Sequence, residues 1–87
     1  MDFFPDRRYG EWMKTDNELD ATGLLCPLPV LKVRKRLKSL ASGQVLRVLA
    51  DDPAAAIDMP HFCAEQGHLL LSAETGTTPQ VYRIQKA

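Results

Sequence analysis

Cysteine is scarce in this chain. Cys26 and Cys63 are the only two among 87 residues, and they form no CxxC pair. That excludes a disulfide-stapled secreted scaffold, CxxC redox chemistry and a zinc-ribbon spacing. It points to a reducing compartment, the cytoplasm. Excess charge of either sign is also missing, with 11 basic residues against 11 acidic. Bulk electrostatic attraction to nucleic acid or to a membrane surface is therefore excluded. No apolar run approaches the roughly 18 residues that a membrane span needs. The first residues carry Asp2, Asp6, Arg7 and Arg8 and no apolar core, so they do not read as a signal peptide. Aromatics are few as well, and four of the six (Phe3, Phe4, Tyr9 and Trp12) crowd into the first twelve residues.

What is present reads as one small domain behind an aromatic extension. Residues 1–17 show neither a helical nor a strand period. Two readings apply to them: a tail lying loosely on the surface, or a cover whose aromatics shield an apolar face of this domain or of a partner. From residue 18 the pattern becomes regular. Positions 18–21 alternate polar and apolar, as a short half-buried strand does. A helix is expected over 27–40, with Val30, Val33, Leu37 and Leu40 as its buried stripe, Leu31 widening it, and Ser42-Gly43 as its stop. A strand is expected over 45–50. A second helix is expected over 54–66, capped by Asp52, started by Pro53, kinked or split at Pro60 and ended by Gly67. Strands at 68–74 (Leu69, Leu71 and Ala73 inward) and 80–86 (Tyr82 and Ile84 inward) complete the order β-α-β-α-β-β. Helix-linked strands tend to run parallel with a right-handed crossover, and the last two form a hairpin. The expected fold is α+β: a two-layer sandwich with two helices on one face of a four-stranded mixed sheet. The other face would carry Val45, Leu49, Leu70 and Val81 among Arg47, Ser72 and Arg83. It is apolar enough to suggest cover by the aromatic segment or by another chain.

The chemistry concentrates at Cys26-Pro27-Leu28-Pro29. Proline at a helix start has its φ preset and loses no intrahelical bond. A thiol just ahead of it lies at the positive end of the helix, where thiolate is favoured. No charge flanks Cys26, whose neighbours are Leu24, Leu25, Pro27 and Leu28. Activation therefore falls to the helix end. With Cys26 as the N-cap, the third helical residue is Pro29, which has no N–H, so the Leu28 N–H is the one donor left. The prolines then position the thiol more than they cradle an anion, and a moderate lowering of its pKa is expected. The alternative is that Cys26 is a small buried hydrophobe.

The residues from about 19 onward resemble the TusA/SirA-like family of sulfur carriers. The matching stretches are Asp20-Ala21-Thr22-Gly23-Leu24, then Cys26-Pro27-Leu28-Pro29-Val30 with its Cys-Pro-x-Pro pattern, then Val33-Arg34-Lys35. They continue with Ala50-Asp51-Asp52-Pro53-Ala54, Asp58-Met59-Pro60-His61-Phe62-Cys63 and His68-Leu69. The resemblance implies a β-α-β-α-β-β sandwich and a sulfur relay. Cys26 would accept persulfide sulfur from a cysteine desulfurase and pass it to an acceptor protein, in the best-known branch toward 2-thiouridine in tRNA. Pro27, Leu28 and Pro29 would position the sulfur. No cofactor is implied on this chain, because the pyridoxal phosphate chemistry belongs to the donor. Relay toward molybdenum-cofactor synthesis or sulfur oxidation are variants of the same chemistry. A regulatory or interaction module, with Cys26 structural or redox-sensing, is the alternative class. Many members carry arginine before the cysteine and glutamate between the prolines, where this chain has Leu25 and Leu28.

The lack of a nearby second cysteine suits a carrier, since a resolving thiol would discharge the persulfide. Cys63, beside Phe62, reads as a buried core residue. His61 and Cys63 are two apart on a helix and so point to different sides, which argues against a metal site. Lys32, Arg34, Lys35, Arg36 and Lys38 read either as a solvated helix face or, at Lys32, Lys35 and Arg36, as a docking patch for an acidic partner. With no aromatics interleaved among them, direct nucleic-acid binding is not expected.

Overall fold

A computed structural model describes residues 17–87. Strand β1 (Asn17–Asp20), helix α1 (Leu28–Leu37), strand β2 (Val45–Ala50), helix α2 (Ala55–Gln66) and strands β3 (Leu69–Glu74) and β4 (Gln80–Gln85) follow one another. The order is the β-α-β-α-β-β expected from the sequence. In the sheet the strands lie β1-β2-β4-β3. β1 runs parallel to β2, and β4 runs antiparallel to both β2 and β3. Alternation explains the layering. Leu46, Val48 and Ala50 of β2 and Tyr82 and Ile84 of β4 are fully buried on the helix side, with Val33, Leu37, Met59, Phe62 and Cys63 packed over them.

Several details differ from the sequence expectation. α1 ends at Leu37, not Leu40. The amides of Ser39 and Leu40 instead bond the carbonyls of Arg36 and Leu37, an i to i+3 tightening that still tucks Leu40 into the core. Leu31 is exposed and does not widen the buried stripe; Pro29 takes that place. Pro60 neither splits α2 nor ends it: one helix runs through it and stops at Gly67, whose φ of 77° is left-handed.

β3 holds the largest correction. Leu69 and Leu71 are not inward but exposed. Leu70 pairs with Ile84 and packs on the core, while Ser72 pairs with Arg83, so Leu71 is the extra residue of a β-bulge. One inserted residue shifts the pleat by a position, which strict alternation cannot foresee. The outer face consequently presents Leu69 in place of Leu70, beside half-buried Val45, Leu49 and Val81. Glu18 and Arg47, cross-strand neighbours there, form an ion pair. The aromatic segment expected to cover this face lies, Asn17 apart, outside the described residues.

Candidate functional site

Cys26 sits on the connection between β1 and α1, and its side chain is exposed. It is not the N-cap. Pro27 occupies that position, joined to Cys26 by a cis peptide bond, and Leu28 and Pro29 are the first two helical residues. The Leu28 amide does not face the thiol, because it donates to the Leu25 carbonyl at 2.8 Å. The one donor expected from the sequence therefore does not serve the sulfur. The Pro27 carbonyl accepts from the Leu31 amide at 3.2 Å and so begins the α1 ladder.

The loop is held by two aspartates from the far end of β2. Both oxygens of the Asp51 carboxylate accept from the Gly23 amide, at 2.9 and 3.1 Å. Gly23 has a φ of 81°, so the turn that offers this amide suits glycine. Asp52 Oδ2 accepts from the Cys26 amide at 2.5 Å, and Asp52 Oδ1 accepts from the Ala54 amide at 3.1 Å. The expected cap is corrected: Ala54, not Asp52, is the N-cap of α2, Pro53 lies ahead of the helix, and Asp52 ties the turn before it to the thiol loop. Behind it, the Gln80 amide nitrogen donates to the Asp52 carbonyl at 3.1 Å, and the buried Tyr82 hydroxyl donates to Gln80 Oε1. A polar chain therefore runs from the sheet interior to the Cys26 backbone.

The sulfur itself meets a third aspartate. Cys26 Sγ donates to Asp58 Oδ2 at 2.9 Å, across from the first turns of α2. This bond raises the thiol pKa above its ordinary value, with partial desolvation and the negative charges of Asp58 and Asp52 adding to it. The moderate acidification expected from the helix end is overturned: a carboxylate in direct contact outweighs half a unit of dipole charge. Beside the thiol is a groove of about 200 Å³ lined by Cys26, Pro27, Val30, Asp58, His61, Phe62 and Glu65. His61 and Glu65, one turn apart on α2, pair at 3.2 Å. Leu25, Leu28 and Ile57, chain neighbours of the lining residues Cys26, Pro27 and Asp58, are 69%, 50% and 75% exposed, an apolar collar where charged side chains are the usual surface.

Cys63 is buried on the inner face of α2, and burial alone pushes its thiol up to about 11. Lys32, Lys35 and Arg36 do come together, lining a shallow groove of about 300 Å³ with Leu19 and Ser39 that shares no residue with the thiol groove. Lys32 Nζ donates to the Asp20 carbonyl at 3.1 Å and Arg36 to the Glu18 carbonyl at 3.4 Å, so two of the three reach over the edge strand β1. Among the described residues no cluster of three or more His, Cys, Asp or Glu is arranged to hold a metal, and no helix is long and apolar enough to cross a membrane. Asp58 and Gln80 are site residues that sequence reasoning missed. Asp58 lay inside a matched stretch, but nothing in its spacing revealed the contact with Cys26, 32 residues earlier.

The described residues thus form a two-layer α+β domain, of the class that offers one exposed thiol just ahead of its first helix. The sequence model of the family described as sulfurtransferase TusA matches residues 17–86, and the chain belongs to that family. The fold also matches the crystal structure of a SirA-like protein from Desulfitobacterium hafniense, with a TM-score of 0.66 and 24% identity, covering 80% of this chain and 95% of that one.

Proposed function

We propose that this chain is a sulfur carrier that holds sulfane sulfur as a persulfide on Cys26. It receives the sulfur from a cysteine desulfurase and hands it to an acceptor protein. The observation that carries this reading is the pairing of one exposed, tethered thiol with one buried thiol. A loaded Cys26 has no accessible thiol on its own domain, among the described residues, to discharge it. In the transfer the Cys26 sulfur attacks the terminal sulfur of the donor persulfide. The donor S–S bond breaks, the donor leaves as its thiol with the proton that Cys26 gives up, and no net oxidation occurs. Pro27, Leu28 and Pro29 fix the direction in which the sulfur points. The collar of Leu25, Leu28 and Ile57 is the partner-facing surface, and Lys32, Lys35 and Arg36 form a separate basic docking patch. The destination we favour is thiolation of tRNA through a protein acceptor in the cytoplasm, without direct contact between this chain and the nucleic acid.

Intact-mass analysis after incubation with a cysteine desulfurase and cysteine tests the reading. The wild type gains one sulfur atom that a reductant removes, and Cys26→Ser gains none. A wild type left unmodified by several desulfurases, or a Cys26→Ser protein loaded equally well, overturns it. Loss of 2-thiouridine from tRNA in cells lacking this chain, restored by wild type and not by Cys26→Ser, tests the destination.

A further inference from the structure

No residue near Cys26 in the chain foretells an acidic group against the reactive sulfur, yet one touches it. Asp58 Oδ2 accepts from Cys26 Sγ at 2.9 Å. The other ionisable groups on the groove are His61 and Glu65, both on α2, with Asp52 held by the Cys26 amide behind the loop. Three of these four are carboxylates, and α1 contributes no cation to the groove lining. This pattern is opposite to the one that makes a permanently active thiolate, where a cation or an open helix end faces the sulfur.

We infer that Asp58 distinguishes the empty from the loaded carrier. It holds the uncharged Cys26 thiol in a hydrogen bond and turns the sulfane sulfur outward once Cys26 is loaded. The reasoning is electrostatic. A thiol has a proton to give the carboxylate, so the empty side chain docks against α2. A persulfide is a stronger acid than a thiol, so the loaded side chain ends in a terminal sulfur anion with no proton to donate. Placed at the same point, that anion would meet a carboxylate at contact distance, with Glu65 on the same wall, and like charges so close repel in any dielectric a protein offers. Turned outward, on the side of its exposed chain neighbour Leu25, the sulfur leaves the wall that carries Asp58 and Glu65. Asp58 is thus a positioning residue: it restrains the thiol that has nothing to deliver and presents the sulfur that has.

The loaded half of this inference rests on the carrier reading, so loading uses inorganic polysulfide, which needs no desulfurase. The full chain is used throughout. The pH dependence of Cys26 alkylation by iodoacetamide, followed at the Cys26 peptide by mass, is compared for wild type, Asp58→Asn and Glu65→Gln. Asp58→Asn shifts the profile to lower pH and raises the rate at pH 7, whereas Glu65→Gln, which does not touch the sulfur, shifts it less. In parallel, the ¹³C signal of the wild-type Asp58 carboxyl is followed through pH before and after loading. Its chemical shift follows the ionisation of Cys26 in the empty protein and loses that response when loaded. An Asp58→Asn profile superimposable on wild type, or an Asp58 signal that loading leaves in place, overturns the inference. Should Asp58→Asn fail to fold, the wild-type carboxyl signal decides alone. Failure of desulfurase loading with these results intact would strike the proposed donor and not the role of Asp58.

Discussion

Replacing Asp52 by alanine tests whether the thiol loop is built from a distance. In the folded chain this carboxylate accepts two backbone amides, those of Cys26 at 2.5 Å and Ala54 at 3.1 Å, and is only 9% exposed. Hydrogen bonds to a charged acceptor contribute about 1.5–3 kcal/mol each. The Ala54 bond spans two residues and leaves a helix-start amide that water can reach, so it belongs at the low end. The Cys26 amide is part-buried and has no substitute partner. We expect Asp52→Ala to cost about 2–4 kcal/mol in all. A domain of this length has about 4–12 kcal/mol to lose. At about 4–8 °C per kcal/mol, the melting temperature should fall by at least 8 °C. Asp52→Asn keeps an oxygen for the Cys26 amide and should lose about half as much. Thermal denaturation followed by circular dichroism measures the first effect. Hydrogen exchange supplies a local one: the Cys26 amide should lose protection in Asp52→Ala by more than the amides of Leu46 and Val48, which open only with the whole sheet. If Asp52→Ala melts within 2 °C of wild type, or the Cys26 amide is no more exchangeable than before, the tether is not what holds the loop.

Other outcomes follow from the same structure. Leu37→Ala removes a side chain only 1% exposed at the centre of the core, and should cost about 2–5 kcal/mol in urea denaturation with an unchanged m-value. Leu28→Glu changes a half-exposed collar residue, so it should leave stability within about 0.5 kcal/mol while slowing loading by a desulfurase and not by polysulfide. Cys63 ionises near 9 when unfolded and is pushed up to about 11 in the fold. The unfolded chain therefore releases its proton first, and stability falls as pH rises from about 9 to 11, by up to about 1.4 kcal/mol per pH unit, a slope that Cys63→Ala should flatten. At pH 8, native protein treated with iodoacetamide should take one adduct, at Cys26, and a second only after denaturation.

What the sequence made legible divides by range. Hydrophobic period and punctuation located each strand and helix of the described residues, because Val33 and Leu37 of α1 or Leu46, Val48 and Ala50 of β2 report their burial through their spacing alone. Local exceptions escaped. The bulge at Leu71 inserts a residue into a run of three leucines, where every register looks equally apolar. Pro27 took the cap position from Cys26 because a proline before Leu28 and Pro29 can lie outside the helix as easily as inside it. The site fared differently from the fold. The exposed cysteine was visible in four residues, but its electrostatic setting was not. Asp52 and Asp58 are 26 and 32 residues away along the chain, and only the pairing of β2 with β1 and the packing of α2 beside α1 bring them to Cys26. A reading confined to neighbours in sequence saw a helix dipole and no charges, and so had the sign of the thiol perturbation reversed.

The two borders of the sheet are also worth weighing against each other. β1 and β3 are its edges, and an edge strand offers open backbone groups on which a second copy can pair. On β1, Lys32 and Arg36 cover the Asp20 and Glu18 carbonyls with cations, so an approaching strand meets charge where it needs acceptors. On β3, exposed Leu69 and Leu71 would invite association, but the irregularity at Leu71 breaks the even spacing of amides and carbonyls that pairing requires. The chain thus guards one border chemically and the other geometrically.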